Sequence, residues 1–360
     1  MIKKKFPILL CIIIFFALFN FFDARIELKK YPPDFKIAVV QVSSAKLKSF
    51  ISFYDDNLNQ ISNMKINLGG LAQCWDWPKN FNGKVYLNVK GTDLWLKSHI
   101  AEFDLANGKI KLHNVKQKFN TCYALDDKNI FVANCDGNAN IVKYNLSTHK
   151  KNKLTIPNMY ITHMKIYENV LYAFGNFSCA TDKSFLYLID KNDMRLLKTI
   201  DITNFGLAQY DSIKINDELY FSNYTQTDKF GNEIKNNSLG KYNLKTRKLE
   251  KINLQHVCPK QLLCLENNLI ISHEDWHQNG KYLSIYDTQT GKIKSVELKN
   301  APYQICLLDD KLYSMDRQKL YKYDLKSFQL EKEVDLQTQQ KYGKDFFISA
   351  FFTSQPTHYD

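Results

Sequence analysis

One residue pair constrains this chain more than any other. A strand ends in an aromatic or apolar residue followed by Asp or Asn, and the pair recurs at Tyr54-Asp55, Phe103-Asp104, Tyr144-Asn145, Ile189-Asp190, Tyr242-Asn243, Tyr286-Asp287 and Tyr323-Asp324. Successive Asp or Asn positions lie 49, 41, 45, 53, 44 and 37 residues apart. That spacing averages roughly 45, the period of four-stranded propeller blades. The last repeat displays the whole unit. Ile305–Leu308 is apolar, Asp309-Asp310-Lys311 turns, Leu312–Met315 follows, and Leu320–Leu325 and Leu330–Leu336 alternate. Alternation at period two between tight polar turns is an antiparallel meander. Each pair leads into a turn such as Ala106-Asn107-Gly108 or Thr288-Gln289-Thr290-Gly291, and then a fourth strand such as Lys109–Leu112, Lys198–Ile202, Leu249–Leu254 or Ile293–Leu298.

The first repeat is one strand short. It offers only Lys36–Val42, Phe50–Tyr54 and Ile61–Leu68, while the C-terminal Phe346–Phe352 belongs to no other repeat. A ring that borrows its missing strand from the far terminus closes without an exposed edge. The expected fold is therefore all-β: a seven-bladed β-propeller of four-stranded antiparallel blades over residues 36–352, closed by the C-terminal strand. Residues 353–360 read as a disordered tail. Many of the 21 Tyr and 24 Phe fall on strands, where they would pack blade against blade.

Ahead of the ring, Lys3-Lys4-Lys5 precede an uncharged apolar run from Phe6 to Phe22. A basic flank before an apolar segment is an export signal with the lysines kept inside. Residues 1–24 read as a signal peptide or a membrane anchor, and 25–35 as a tether ending in Pro32-Pro33. A cut after Ala24 would leave the bulky Phe22 where a small side chain is wanted, which favours the anchor. The expected location is the cell envelope, with the chain held on the cytoplasmic membrane or released as a secreted or periplasmic protein.

The formal charge of +12 suits anionic envelope polymers or headgroups, but the lysines are scattered through strand edges and turns. No basic stripe with interleaved aromatics is present, so nucleic acid is not an expected partner. There is no C-x-x-C, which excludes a thioredoxin-type centre and c-type haem attachment. Cys122 and Cys135 fall on adjacent strands of the third repeat, as cross-strand disulfide partners or as buried free thiols. His273-Glu274-Asp275-Trp276-His277 fits H-E-x-x-H, but that pattern holds zinc only on a helix, and here it falls between two strands. His273 and His277 therefore remain loop candidates for a metal, and no metal is assigned.

Geometry narrows the search further. Turns between first and second strands are short, at Glu168-Asn169, Asn216-Asp217-Glu218, Asn267-Asn268 and Asp309-Asp310-Lys311. Connections between second and third strands read as long, at Val89–Asp93, Asn134–Asn140, Gly175–Lys183, Ser222–Ser238 and His273–Lys281. Long loops on one rim of a rigid scaffold are where binding sites form. Aligning the repeats puts Gln73, Thr121, His163, Asp211, Gln261 and Gln304 at the heads of the inner strands on that rim. These are the expected ligand-binding residues of the channel mouth. Asp211 beside His163 is expected to raise the basicity of the imidazole.

Units such as YLSIYDTQTGKIKSVEL and LYKYDLKSFQLEKEVDL resemble exported propellers of the YVTN or quinoprotein amine dehydrogenase-like group, over about residues 36 to 352. The Tyr-Val-Thr-Asn motif is absent, and no run matches cofactor or catalytic residues. The resemblance implies the fold and leaves the activity open. Two functions follow. One is an envelope module binding a small ligand or another envelope protein; the alternative is a propeller enzyme, a lyase, hydrolase or dehydrogenase subunit, with its site at the channel mouth. A monomeric propeller is expected, and no cofactor is named.

Overall fold

A computed structural model of the chain describes residues 32, 34–43, 45–72, 76–89, 98–117, 119–177, 183–275, 277 and 279–355. The N-terminal apolar run, Gln73 and most of the connections beginning at Val89 and Gly175 lie outside them. Seven four-stranded sheets form, each antiparallel throughout. Their order follows the chain except in the first blade, whose inner strand is Phe347–Thr353, paired along Ile37–Ser43. The ring is thus closed by the C-terminal strand, as the three-stranded first repeat requires.

The recurring aromatic–Asp pair ends the third strand of every blade, and the structure gives its cause. The Asp or Asn side chain accepts turn N–H groups, for example from Thr148 to Asn145 Oδ1 at 2.8 Å and from Gln289 to Asp287 Oδ1 at 2.9 Å. Its carbonyl accepts the N–H four residues on, from Gly108, His149, Met194, Arg247, Gly291 and Phe328. Each of these six donors has a left-handed backbone, with φ between 55° and 73°. Two are glycines and four carry side chains in a conformation that favours glycine. Turn donors also acidify the acceptor: the N–H of Ser327, then its hydroxyl, hold Asp324 at about 2.

Aromatic and aliphatic side chains fill the gaps between blades. Val40, Phe53, Val85 and Phe103 join the first and second blades in one cluster, and Ile37, Tyr54, Met315 and Phe351 join the seventh to the first. Phe174 meets Phe221 across the fourth seam at 5.2 Å between ring centroids.

Several expectations are corrected. Asn134–Asn140 is a tight hairpin at Gly137, whose φ of 72° permits the turn. Ser222–Ser238 is mostly an extended two-stranded ribbon, with Asp228 Oδ1 capping its tip at Phe230 and Asn232. Of the two states open to Cys122 and Cys135, the structure has the one without a disulfide, and Cys122 stands opposite Ala133. A short helix, α1 (Thr338–Tyr342), precedes the closing strand. Thr353 belongs to that strand rather than to the tail, and Asn80 Nδ2 donates to its hydroxyl at 3.1 Å. Among the described residues no helix is long and apolar enough to cross a membrane.

The chain enters on the face opposite the channel mouth. The Lys36 N–H donates to Tyr54 O at 2.8 Å, and its ammonium pairs at 3.1 Å with Asp309, in a first-to-second turn of the seventh blade.

Ending the chain at Lys344 removes the inner strand of the first blade. Aggregation or a Tm loss on the order of 10 °C is expected, whereas removing residues 356–360 leaves Tm unchanged. An unaltered melting curve after the longer deletion would refute closure. At the exposed turn residue Arg247, substitution by Gly relieves a φ of 61° and is expected to add about 0.5–1 kcal/mol of stability in denaturant titrations.

Candidate functional site

An inner strand has a ladder partner on one side only. Its other edge faces the channel, where backbone groups need partners from elsewhere. Side chains of the neighbouring inner strands supply them. Ser349 Oγ of the first blade donates to Leu71 O at 2.9 Å, on the way into the second. Asp76 Oδ2 accepts the Tyr123 N–H at 2.9 Å, and Thr121 Oγ1 donates to Ile161 O at 2.7 Å. His163 Nε2 lies 3.0 Å from Ser212 Oγ. Asp211 Oδ2 accepts the Leu262 N–H at 2.9 Å, and Gln261 Oε1 accepts that of Ile305 at 2.8 Å. Gln304 closes the circuit, accepting the Phe351 N–H and donating to Phe351 O, both at 2.8 Å. Every seam of the ring is bridged, six to a backbone group and the fourth between the His163 and Ser212 side chains.

Of the six residues expected at the channel mouth, His163, Asp211, Gln261 and Gln304 line one narrow cavity of about 40 Å3 with Asp76, Trp77, Lys79 and Lys165. Thr121 is spent on the seam with the fourth blade and does not line it. Gln73 lies outside the described residues; in the second blade Asp76 bridges the seam, ahead of a three-residue inner strand, Lys79–Phe81.

His163 Nε2 is 3.8 Å from Asp211 Oδ1, yet the imidazole is not made more basic. Burial, then Lys79 and Lys165, push it well below its ordinary value. Its Nδ1 has no hydrogen-bond partner among the described residues, and the adjoining cavity has room for water. Burial raises the Asp211 carboxyl to about 6, partly opposed by Lys165 and the Leu262 N–H. At neutral pH the pair is a carboxylate beside a neutral histidine.

A roof of cations and aromatic rings covers the cavity. Trp77, from the entry to the second blade, meets Tyr303 of the seventh edge-on at 5.6 Å. The Lys260 ammonium lies 4.3 Å from the Tyr303 ring centroid and 5.4 Å from that of Trp77. It donates to Glu274 Oε2 at 2.7 Å, with both side chains almost fully buried. The Arg317 guanidinium lies 5.7 Å from the centroid of the same Tyr303 ring. Lys260 and Tyr303 directly precede Gln261 and Gln304, so reading the inner strands one residue earlier would have found them.

The H-E-x-x-H residues play other parts. His273 is buried at a strand end, its Nδ1 2.9 Å from Val257 O and its Nε2 2.8 Å from Ser284 Oγ. Burial lowers it to about 4. His277 is exposed in the following turn, where its N–H donates to Asp275 Oδ1. Among the described residues no three His, Cys, Asp or Glu are grouped to hold a metal ion.

No protein-family model matches the chain, and no curated protein matches it. Solved structures do. A candidate 6-phosphogluconolactonase from Bacteroides fragilis aligns at 11% identity with a TM-score of 0.59, over 90% of this chain and 99% of that one. The dihydro-heme d1 dehydrogenase NirN, solved in complex with DHE, aligns at 12% identity and 0.51, over 92% and 77%. BamB from Moraxella catarrhalis aligns at 11% and 0.49, over 87% and 88%. At such identities the first two likenesses establish the propeller fold and no activity.

Asp211→Ala orphans the Leu262 and Ser212 N–H groups and is expected to cost about 1–3 kcal/mol. Asp211→Asn is milder and isolates the titration. A carboxyl raised on folding stabilises the fold below the unfolded value of 3.8 and loses that contribution as pH rises through about 6. His163, lowered on folding, has the opposite slope and is common to both proteins. Between about pH 4 and pH 7 the parent should lose stability relative to Asp211→Asn in urea titrations. A constant difference across that range would contradict the burial of the carboxylate.

Proposed function

We propose that the chain is an exported, membrane-anchored propeller that binds a ligand or another envelope protein at the channel mouth. One observation carries this reading: the ring residues that could have been an acid–base pair are spent on the seams, beneath a roof of Trp77, Tyr303, Lys260 and Arg317. A cavity of about 40 Å3 has room for a few waters and not for a metabolite. Half-buried aromatic side chains such as Trp77 and Tyr303, beside arginine and lysine, are the composition of a recognition surface. The N-terminal lysines and apolar run support export. Entry of the chain on the far face supports a mouth turned away from the membrane.

A second reading, an enzyme, draws on Asp211 alone. A carboxyl raised to about 6 and lining a channel is the kind of group that active sites tune.

Photo-crosslinking in cells tests the binding reading. A benzophenone amino acid at position 77 should give a discrete adduct, and one at Asp310, on the opposite face, should not. The same adducts from both positions, or none from position 77, would overturn it.

A further inference from the structure

A larger recess lies outside the channel, at the seam where the ring closes. It holds about 370 Å3 between the seventh blade, helix α1 and the start of the closing strand, within the range of small-molecule sites. The glutamines Gln318, Gln337, Gln339 and Gln340 line it, with Arg317, Asp335 and Phe347 at its walls. From this lining we infer that the recess binds a saccharide, independently of the channel mouth.

The chemistry argues for hydroxyl groups. A glutamine amide both donates and accepts, which matches a hydroxyl that does the same. Asp335 adds a charged acceptor and Arg317 a fork of donors, one of each sign, so a polyphosphate would find too little positive charge. Phe347 is 42% exposed and offers a flat apolar face for the C–H side of a sugar ring. The Arg317 guanidinium makes no ion pair among the described residues; its ring contact is Tyr303. Thr338 also lines the recess, 7% exposed, and its hydroxyl has no partner among the described residues. The lining is also held in place. Gln337 keeps a left-handed φ of 48°, and its N–H donates to Asp335 Oδ1 at 2.8 Å.

Saturation-transfer NMR on the full chain, in a detergent without a sugar headgroup, tests the inference with chitotriose, maltotriose and trigalacturonate as probes. At least one trisaccharide should receive saturation. Its Kd should rise at least about tenfold in Gln339→Ala or Gln340→Ala, both exposed positions lining the recess and absent from the roof. Trp77→Ala, in the roof of the channel mouth, should leave that Kd unchanged, which separates this site from the channel mouth. Transfer to none of the three at 10 mM probe (about the weakest useful affinity), or an unchanged Kd in both variants, would overturn the proposal.

Discussion

Every inner strand of this ring has an edge with no ladder partner, and the fold depends on how that edge is satisfied. A propeller cannot cover it with another strand, because the channel lies there. The chain solves the problem with polar side chains at every seam, from Ser349 round to Gln304. Each bond contributes about 0.5–1.5 kcal/mol, while an orphaned group costs about 1–3 kcal/mol. Summed round the ring, such bonds are comparable with the whole stability of an ordinary domain. Polarity at the heads of apolar strands therefore has a structural cause before it has a functional one. That is why Trp77 and Arg317 of the roof give a cleaner functional test than the ring residues whose side chains bridge the seams.

What was legible in the sequence was what repeats. The aromatic–Asp pair could be read because each of its residues has one local duty, packing and turn capping, that hardly changes between blades. Closure could be read because an apolar strand was left over. Asp76 shows where the reading stops. The second blade's inner strand is only Lys79–Phe81, too short to display an alternation that would fix its register. Asn134–Asn140 reads as a polar loop, yet Gly137 turns it in one residue, and a ribbon of polar residues such as Thr225–Lys235 has no core face to mark it as strand. His163 failed differently. Its neighbour in the next blade was correctly found, but the sign of its shift depends on burial, which sequence does not report.

The distribution of charge adds a second layer. The cavity and its roof bring together Lys79, Lys165, Lys260 and Arg317 against Asp76, Asp211 and Glu274. The buried Lys260–Glu274 pair is costly to desolvate and is rarely retained for stability alone. Here it fixes the ammonium against two aromatic rings, Trp77 and Tyr303, that arrive from different blades. A single cation so placed ties the roof together while keeping its face polar.

The two recesses differ in what they demand of the fold. The channel cavity is rigid because the seam bonds that line it also hold the ring. The recess at the closure seam is built from the segment that completes the ring: Gln337 to Gln340 before it, Phe346 and Phe347 at its start. Phe346 is buried against Phe50 and Tyr342, while Phe347, the next residue, points the other way into solvent. Alternation within one strand thus fastens the ring on one face and furnishes the recess on the other. A ligand held between Arg317 of the seventh blade and this strand binds only the closed ring, so its binding free energy adds to closure by mass action. Occupancy and ring integrity are then linked through the same few residues, with no need for a change of shape.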